Sequence, residues 1–566
     1  MRVCVYRRFL AAFRRCLVAF RRCLAPFRRC LAAFCRCDEK NDGFCKHGHR
    51  HSRLGDIAGV IGAALMMAGC AVGPDFTSPP PPSVTSLTPV SLPVLPISAP
   101  DRQAFVESLQ IPKQWWELLH CEPLNAITAR AIESNADLEA AHAALRIANA
   151  NTDAARGAFF PQIGANVGAS DQKPSATQVP AGASTSPYSL STGQLSVSYV
   201  VDVFGLNRRT VEGLVAQAEV QYFEAEASYL TLTSRIALAA VQEAALREQI
   251  QAAETSVRVG SEVLTLLKKQ LDANEATRTD VATQEAALSQ FQQQLETLKK
   301  QLATNRDLMI ALTGAFAGEG LAEKFDFVCL RLPTDLPRSL PSEIVRNRPD
   351  IRAAEADMHA ATAQIGVAIA NRLPQFTLTA NAGASAAAIS QLATISTPLL
   401  LWSVAGNAAA TLFDGMSLEQ KQRAAEAGLD RSAALYRGTV ITAFQNVADV
   451  LQAIEADRRL FISAEQGEKA AKLNLDLTRK LLMQSQASVL QVLSAQQLYA
   501  QAASAKAQAR GQRLSDTVML FQALGGGWRP DAEAERVAQT TDIAASESLN
   551  SGTADGSPVR GLAGLY

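Results

Sequence analysis

A chain of 566 residues with 54 Lys/Arg against 54 Asp/Glu has no formal net charge, but the balance is made of two unequal parts. Residues 1–70 hold 14 basic and 4 acidic residues, so the other 496 hold 40 basic and 50 acidic, and a body of net charge −10 has no bias toward nucleic acid. Eight of the ten cysteines lie at or before Cys70, which excludes a disulfide scaffold and leaves open whether the remaining two, Cys121 and Cys329, pair.

From Tyr6 the segments YRRFLAA, FRRCLVA, FRRCLAP and FRRCLAA succeed one another with a period of seven. A basic amphipathic helix is one reading. The other is a translated tandem DNA repeat upstream of the true start, and residues 1–53, with the cluster His47, His49 and His51, are set aside as a doubtful extension. Residues 54–69 then read as a secretory signal. Lys46, Arg50 and Arg53 flank an apolar run from Ile57 to Met67, which is too short to span a bilayer as a helix.

Met67, Ala68, Gly69 and Cys70 resemble a bacterial lipobox, which makes Cys70 the expected site of acylation, and Ala71 matches outer-membrane sorting rather than inner-membrane retention. Residues 70–113 read as a lipid-anchored, Pro-rich tether, within which 77–101 forms neither helix nor core.

Beyond the tether the chain is written twice. Residues 137–163 and 350–376 align without a gap, with nine identities in 27 positions. The match continues in NVGAS against NAGAS, Asp202 against Asp414, and LTG at 312–314 against LGG at 524–526. A repeat of about 210 residues is far longer than a solenoid unit, so the expected halves are 114–330 and 331–528, with a disordered tail, 529–566.

Each half opens with an Ala-rich helix, expected over 120–158 and 340–371 and stopped by Pro161 or Pro374. The period then changes to two. Ile163, Ala165 and Val167 alternate with Gly164, Asn166 and Gly168, and Phe376, Leu378 and Ala380 with Thr377, Thr379 and Asn381. Return strands come next at 194–201 and 402–412, across loops 171–193 and 386–398 rich in small polar residues. From Leu206 and Leu418 each half becomes helical for about 66 residues, roughly 100 Å, turns near Ala276 or Ala487 and runs back to Leu312 or Leu524.

The fold class read from this pattern is a mixed α and β membrane protein, internally duplicated. Four strands bury too little for a soluble sandwich and cannot close a barrel alone, whereas three chains supply twelve. Asp350, beside Pro349, is expected to cap a helix, and Trp115 and Trp116 to anchor packing. No Gly-rich phosphate loop with Lys, HExxH or GxSxG occurs, and His120, His142 and His359 lack metal-site spacing, so neither catalysis, metal nor cofactor is expected.

The residues CAVGPDF (70–76), WWELL (115–119), YVVDVFG (199–205), LPRSLPSEIVRNRPDIRAAEA (336–356), LFDG (412–415) and ALGGGW (523–528) stand in this order. With them the chain resembles the lipoprotein branch of the TolC/NodT-type outer-membrane factors over residues 70–528. The resemblance implies a homotrimer in the outer membrane of a Gram-negative bacterium: a twelve-stranded β-barrel continued by a periplasmic coiled-coil tunnel. Its implied partners are outer-membrane lipid, a periplasmic adaptor and an inner-membrane pump that supplies the energy. Its implied function is a passive exit duct for drugs or other small toxic compounds, with a type I protein secretion duct and a lipid-anchored coiled-coil scaffold as alternatives. Within it, the turns at Asp202 and Asp414 are structural.

The same resemblance puts the gate and the adaptor contacts at the helix turns, Thr277, Arg278 and Asp280 in the first half and Ser488, Leu490, Gln491 and Ser494 in the second. Leu490 fits the narrow leucine ring. Ser494 and Gln491 stand where acids are common, so the second tip lacks that part of the gate, and an Arg278–Asp280 ion pair on the first tip is the expected substitute.

Overall fold

The computed structural model describes residues 71–80, 82, 103–107, 109, 111–175, 186–338, 341–388, 390, 400–484 and 486–528. All belong to the compact unit Ala68–Tyr566. The extension 1–53, the signal 54–69, Cys70 and the tail 529–566 lie outside the described residues.

Four strands form one antiparallel sheet in the order β2-β3-β5-β6, where β2 is Gln162–Gln172, β3 Tyr188–Val201, β5 Gln375–Ala386 and β6 Leu400–Ala409. The period-two alternation places every second side chain on one face. Register then makes that face continuous: Ile163 lies opposite Val197, Val197 opposite Ala380, and Ala380 opposite Val404. Ile163, Val167, Trp402 and Val404 are each more than 70% exposed, so this apolar face is uncovered in the single chain. The return strands differ from expectation: β3 begins six residues earlier, and β6 ends at Ala409, so Leu412 lies in the turn.

Each half then runs into a long helical hairpin, α3 (Leu206–Asp272) with α4 (Arg278–Leu312) and α7 (Ser417–Met483) with α8 (Val489–Ala523). Both outgoing helices have 67 residues and both returning ones 35, at a constant offset of 211. The spatial partner of Gly314 is therefore Gly525, one residue from the sequence match of LTG with LGG.

The returning helices reach only about half of α3 and α7. The remaining length is covered by α2 (Ala136–Arg156) and α6 (Pro349–Ala370), each preceded by a short helix, α1 (Glu122–Ser134) or α5 (Pro341–Asn347). The single helices expected over 120–158 and 340–371 are thus each broken. Asn135 and Arg348 adopt extended backbone at the break. Asn135 accepts the Leu138 amide at 3.0 Å and donates to the Leu312 carbonyl at 3.0 Å. In the other half Pro349 cannot continue a helix from before it, and the Arg348 guanidinium donates to the Ala523 carbonyl at 2.9 Å.

The joints require glycine. Gly314 (φ +73) and Gly525 (φ +92) lie so close to the carbonyls of Ser134 and Asn347 that a Cβ would approach them to 2.1 and 2.3 Å.

A core at the middle of the molecule holds these joints together. Trp115 and Trp116 are buried in it, with ring centroids 6.0 Å apart, and Trp115 packs 5.6 Å from Phe521. Truncating either indole costs roughly 3–5 kcal/mol.

Two features correct the reading of 70–113 as a tether. Ala104–Glu107 (β1) pairs in parallel with Asp335–Arg338 (β4), which ties this segment to the second half. Residues 71–78 dock on the helices, where the Val72 amide meets the Phe204 carbonyl. Among the described residues no helix is long and apolar enough to cross a membrane.

Cys121 and Cys329 form a disulfide with a Cα–Cα distance of 5.1 Å, closing 208 residues beside the buried Trp115 and Phe325. Because β1 with β4 and the aromatic core already hold this loop closed in the folded chain, the bond acts mainly on the unfolded state. Cys121→Ser should cost about 2–4 kcal/mol. The measurement is thermal unfolding in detergent with and without reductant, and identical melts would mean that the bond contributes nothing.

Candidate functional site

The hairpin tips are two variants of one turn. At the first, Thr277 has extended backbone and caps α4, accepting the Asp280 amide on Oγ1 at 3.2 Å. The Asp280 carboxylate reaches back to accept the Thr277 amide at 3.0 Å and the hydroxyl at 2.7 Å. These bonds from Thr277, the hydroxyl first, hold the Asp280 carboxyl below its ordinary range. The expected Arg278–Asp280 ion pair is absent among the described residues, because side chains two residues apart in the first turn of a helix point to different faces.

At the second tip Ser488 and Gln491 repeat the box with amide chemistry: the Ser488 amide donates to Gln491 Oε1 at 2.8 Å and the Gln491 amide to Ser488 Oγ at 3.3 Å. Such a cap contributes about 1 kcal/mol. Gln491 thus fills, without charge, the capping position that Asp280 takes at the first tip. Ser494 turns its hydroxyl onto the Leu490 carbonyl at 2.8 Å, while the Leu490 side chain is 68% exposed.

Further along, the hairpins differ in buried charge, which no motif marked. In the first, Glu243 is fully buried and accepts from Arg247 at 2.6 Å and Arg306 at 2.9 Å. Its counterpart, 211 residues on, is Ile454. In the second, Asp457, Arg513 and Asp516 are all more than nine-tenths buried where the first hairpin has Leu246, Leu302 and Asn305. Gln512 donates to Asp516 at 3.1 Å, and the Arg513 guanidinium lies 5.8 Å from the Phe461 ring centre.

Asp457 and Asp516 share this buried space with Arg513. Burial, then the hydrogen bond with Asp516 and its charge, push the Asp457 carboxyl up to about 7, against the pull of Arg513. The only sequence signal was a charge at helical spacing among apolar positions such as Leu451 and Ile454, which a helix rich in Glu and Arg hides.

At the barrel end of α3 the strand-to-helix turns repeat as well. Asp202 accepts the amides of Asn207 at 3.1 Å and Arg208 at 3.0 Å, and Asp414 accepts that of Leu418 at 2.7 Å. Residues 71–78 pack across the first of these turns. Gly205 (φ +78) admits Ala71, whose Cα a Cβ would approach to 2.7 Å. The Val72 amide donates to the Phe204 carbonyl at 3.1 Å.

Buried Arg209 donates to the Val72 carbonyl at 3.1 Å, to Asp75 at 2.7 Å and to Glu212 at 2.7 Å. Glu212 in turn meets His359 of α6 at 3.1 Å, and Phe76 stacks on that imidazole at 4.6 Å. The segment thereby fastens α3 of one half to α6 of the other.

Asp350 is not the cap of α6. It lies one residue into the first turn, where it accepts from Arg348 at 2.7 Å and from the Ile351 amide at 2.9 Å, because Pro349 takes the first helical position. Pro161 and Pro374 each stand one residue before a strand, β2 or β5.

The outer membrane efflux protein family matches residues 128–315 and 340–526, one stretch in each half. The pyoverdine export outer membrane protein OpmQ of Pseudomonas putida is 26% identical over 450 residues, covering 79% of this chain and 95% of that protein. The protein of the same name from Pseudomonas aeruginosa is 30% identical over 429 residues, covering 74% and 89%. Among solved structures, the outer-membrane channel OprN superposes with a TM-score of 0.72 at 25% identity, over 81% of this chain and 100% of that one.

The buried acid pair makes the second hairpin sensitive to pH. A carboxyl raised in the folded state stabilises it fully below the unfolded value of 3.8, and that contribution is lost as pH rises toward about 7. Asp457→Asn should therefore flatten the fall in melting temperature between pH 4 and 8. A variant whose pH slope equals that of the native protein would show that Asp457 does not carry the proton.

Proposed function

The chain belongs to the outer membrane efflux protein family, and from that premise we propose that three copies close into one passive exit duct for drugs or other small toxic compounds. It is an outer-membrane efflux channel, with its strands in the outer membrane and its helical hairpins in the periplasm. The observation that carries the trimer is the sheet itself. Its two outer strands, β2 and β6, have no partner on their far sides among the described residues, and its apolar face is exposed. In hydrocarbon such edges are satisfied only by closure, and three copies give the twelve strands that a wide barrel needs.

Within this reading the remaining sites have distinct tasks. Ala71, one peptide bond after Cys70, lies against Gly205 at the foot of the barrel. Acyl chains on Cys70 would enter the inner leaflet at that level, and each buried methylene contributes about 0.8 kcal/mol to the anchor. The periplasmic tips receive an adaptor, and an inner-membrane pump drives the cargo. Leu490, exposed beside a neutral cap, forms the narrow ring with its two symmetry mates.

Purified protein should require detergent, run as a heat-labile trimer and conduct in planar bilayers. A delipidated protein soluble without detergent would sink the duct. Labelled fatty acid should be incorporated into the native chain and not into Cys70→Ala, and continued labelling of the variant would remove the anchor from Cys70. Leu490→Ser should raise single-channel conductance or antibiotic entry, and unchanged values would place the constriction elsewhere.

A further inference from the structure

Strand register decides which side chains face the inside of the barrel. The uncovered apolar face takes Ile163, Val197, Ala380 and Val404, so the residues between them belong to the opposite, water-facing side. They fall into rows of register partners that cross all four strands. One row is Gln162, Ser198, Thr379 and Ala405, the next Gly164, Ser196, Asn381 and Ser403, and the next Asn166, Gln194, Gly383 and Leu401.

The middle row is joined laterally, because Asn381 Nδ2 donates to Ser403 Oγ at 3.3 Å. Toward one end the pattern continues through Gly168, Thr192 and Ser385, and toward the other through Thr377 and Asn407. Leu190, Val200 and Leu401 are its larger apolar members.

Among the described residues of the four strands, no Lys, Arg, Asp or Glu stands on this face between Gln162 and Ser170 of β2 or anywhere on β3, β5 and β6. The nearest charges along the chain are at the rims, Asp171 at the far end of β2 and Asp202 past the near end of β3. Seven residues from Gly164 and six from Ser196, they lie about 20 Å away along the strands. That is more than twice the Debye length of about 8 Å at physiological ionic strength, so they exert little field at mid-height.

We infer that the barrel section of the duct is a charge-neutral passage walled by amides and hydroxyls, with Asn381 near the middle of its strand, and that it passes polar solutes of either sign alike. The inference rests on the closed-barrel reading of the proposed function. A wall of Asn, Gln, Ser and Thr supplies both donors and acceptors, so it replaces part of the hydration of a polar cargo without holding it through a fixed charge. Discrimination between cationic and anionic compounds then lies upstream, in the helical tunnel and the pump.

Thiol accessibility tests this in the trimer. With Cys121 and Cys329 bonded to each other, Asn381→Cys places the one free thiol among residues 71–566, and Ser196→Cys on the same row serves if that variant does not fold. The thiol is exposed to anionic and to cationic membrane-impermeant methanethiosulfonates, and each rate is divided by the reagent's rate with a small free thiol. Both reagents should react, with normalised rates equal within about threefold. A bias of about tenfold or more, where electrostatic focusing begins, would overturn the neutral passage and leave the barrel standing. No reaction with either reagent in both variants would place the row away from water and take the barrel reading down with it.

Discussion

The structure depends on the rule that a backbone amide or carbonyl in hydrocarbon must have a partner. A four-stranded sheet with two open edges satisfies that rule only as part of a larger closed one. Closure also dictates how the chain leaves the sheet, because β3 and β6 each end in a turn that launches a helix of 67 residues. Asp202 and Asp414 bind the first free amides at those turns, and these amides would otherwise be unsatisfied at a crowded boundary. Two alike halves per chain give three chains six alike strand pairs and six hairpins, so barrel and tunnel share one circumference.

A ring of long helices cannot be filled by hairpins alone, since the returning helices are half the length of the outgoing ones. The gap is filled by α2 and α6, set end to end against α4 and α8. Such end-to-end joints bring free carbonyls against free amides in the protein interior, where an unmet polar group costs about 1–3 kcal/mol. Asn135 and Arg348 solve this with different chemistry at the same place, each reaching a terminal carbonyl of the returning helix. Gly314 and Gly525 permit the close approach, which explains why glycine recurs there while the residues around it have changed.

Much of this was legible in the sequence because it obeys local rules. The period of two found the strands, the Ala-rich stretches found the helices, and the duplication related each half to the other. The features that were missed have no local signature. The breaks at Asn135 and Arg348 arise because α2 and α6 must meet other helices, and a continuous Ala-rich run hides them. The β1–β4 pairing, the docking of residues 71–78 and the Cys121–Cys329 bond all join segments far apart in sequence. At the tips, the positions were legible and their chemistry was not. Asp280 read as half of an ion pair and Gln491 as the place of a missing acid, yet both serve as the returning arm of a capping box.

The two hairpins have diverged in a way that separates their tasks. In the first, buried Glu243 accepts from two guanidinium groups, Arg247 and Arg306. In the second, Asp457 is buried beside Asp516 and Arg513, and burial and Asp516 push its carboxyl up to about 7. The raised carboxyl belongs to the second hairpin alone, where its contribution is lost as pH rises toward about 7, while the position 211 residues earlier is the apolar Leu246.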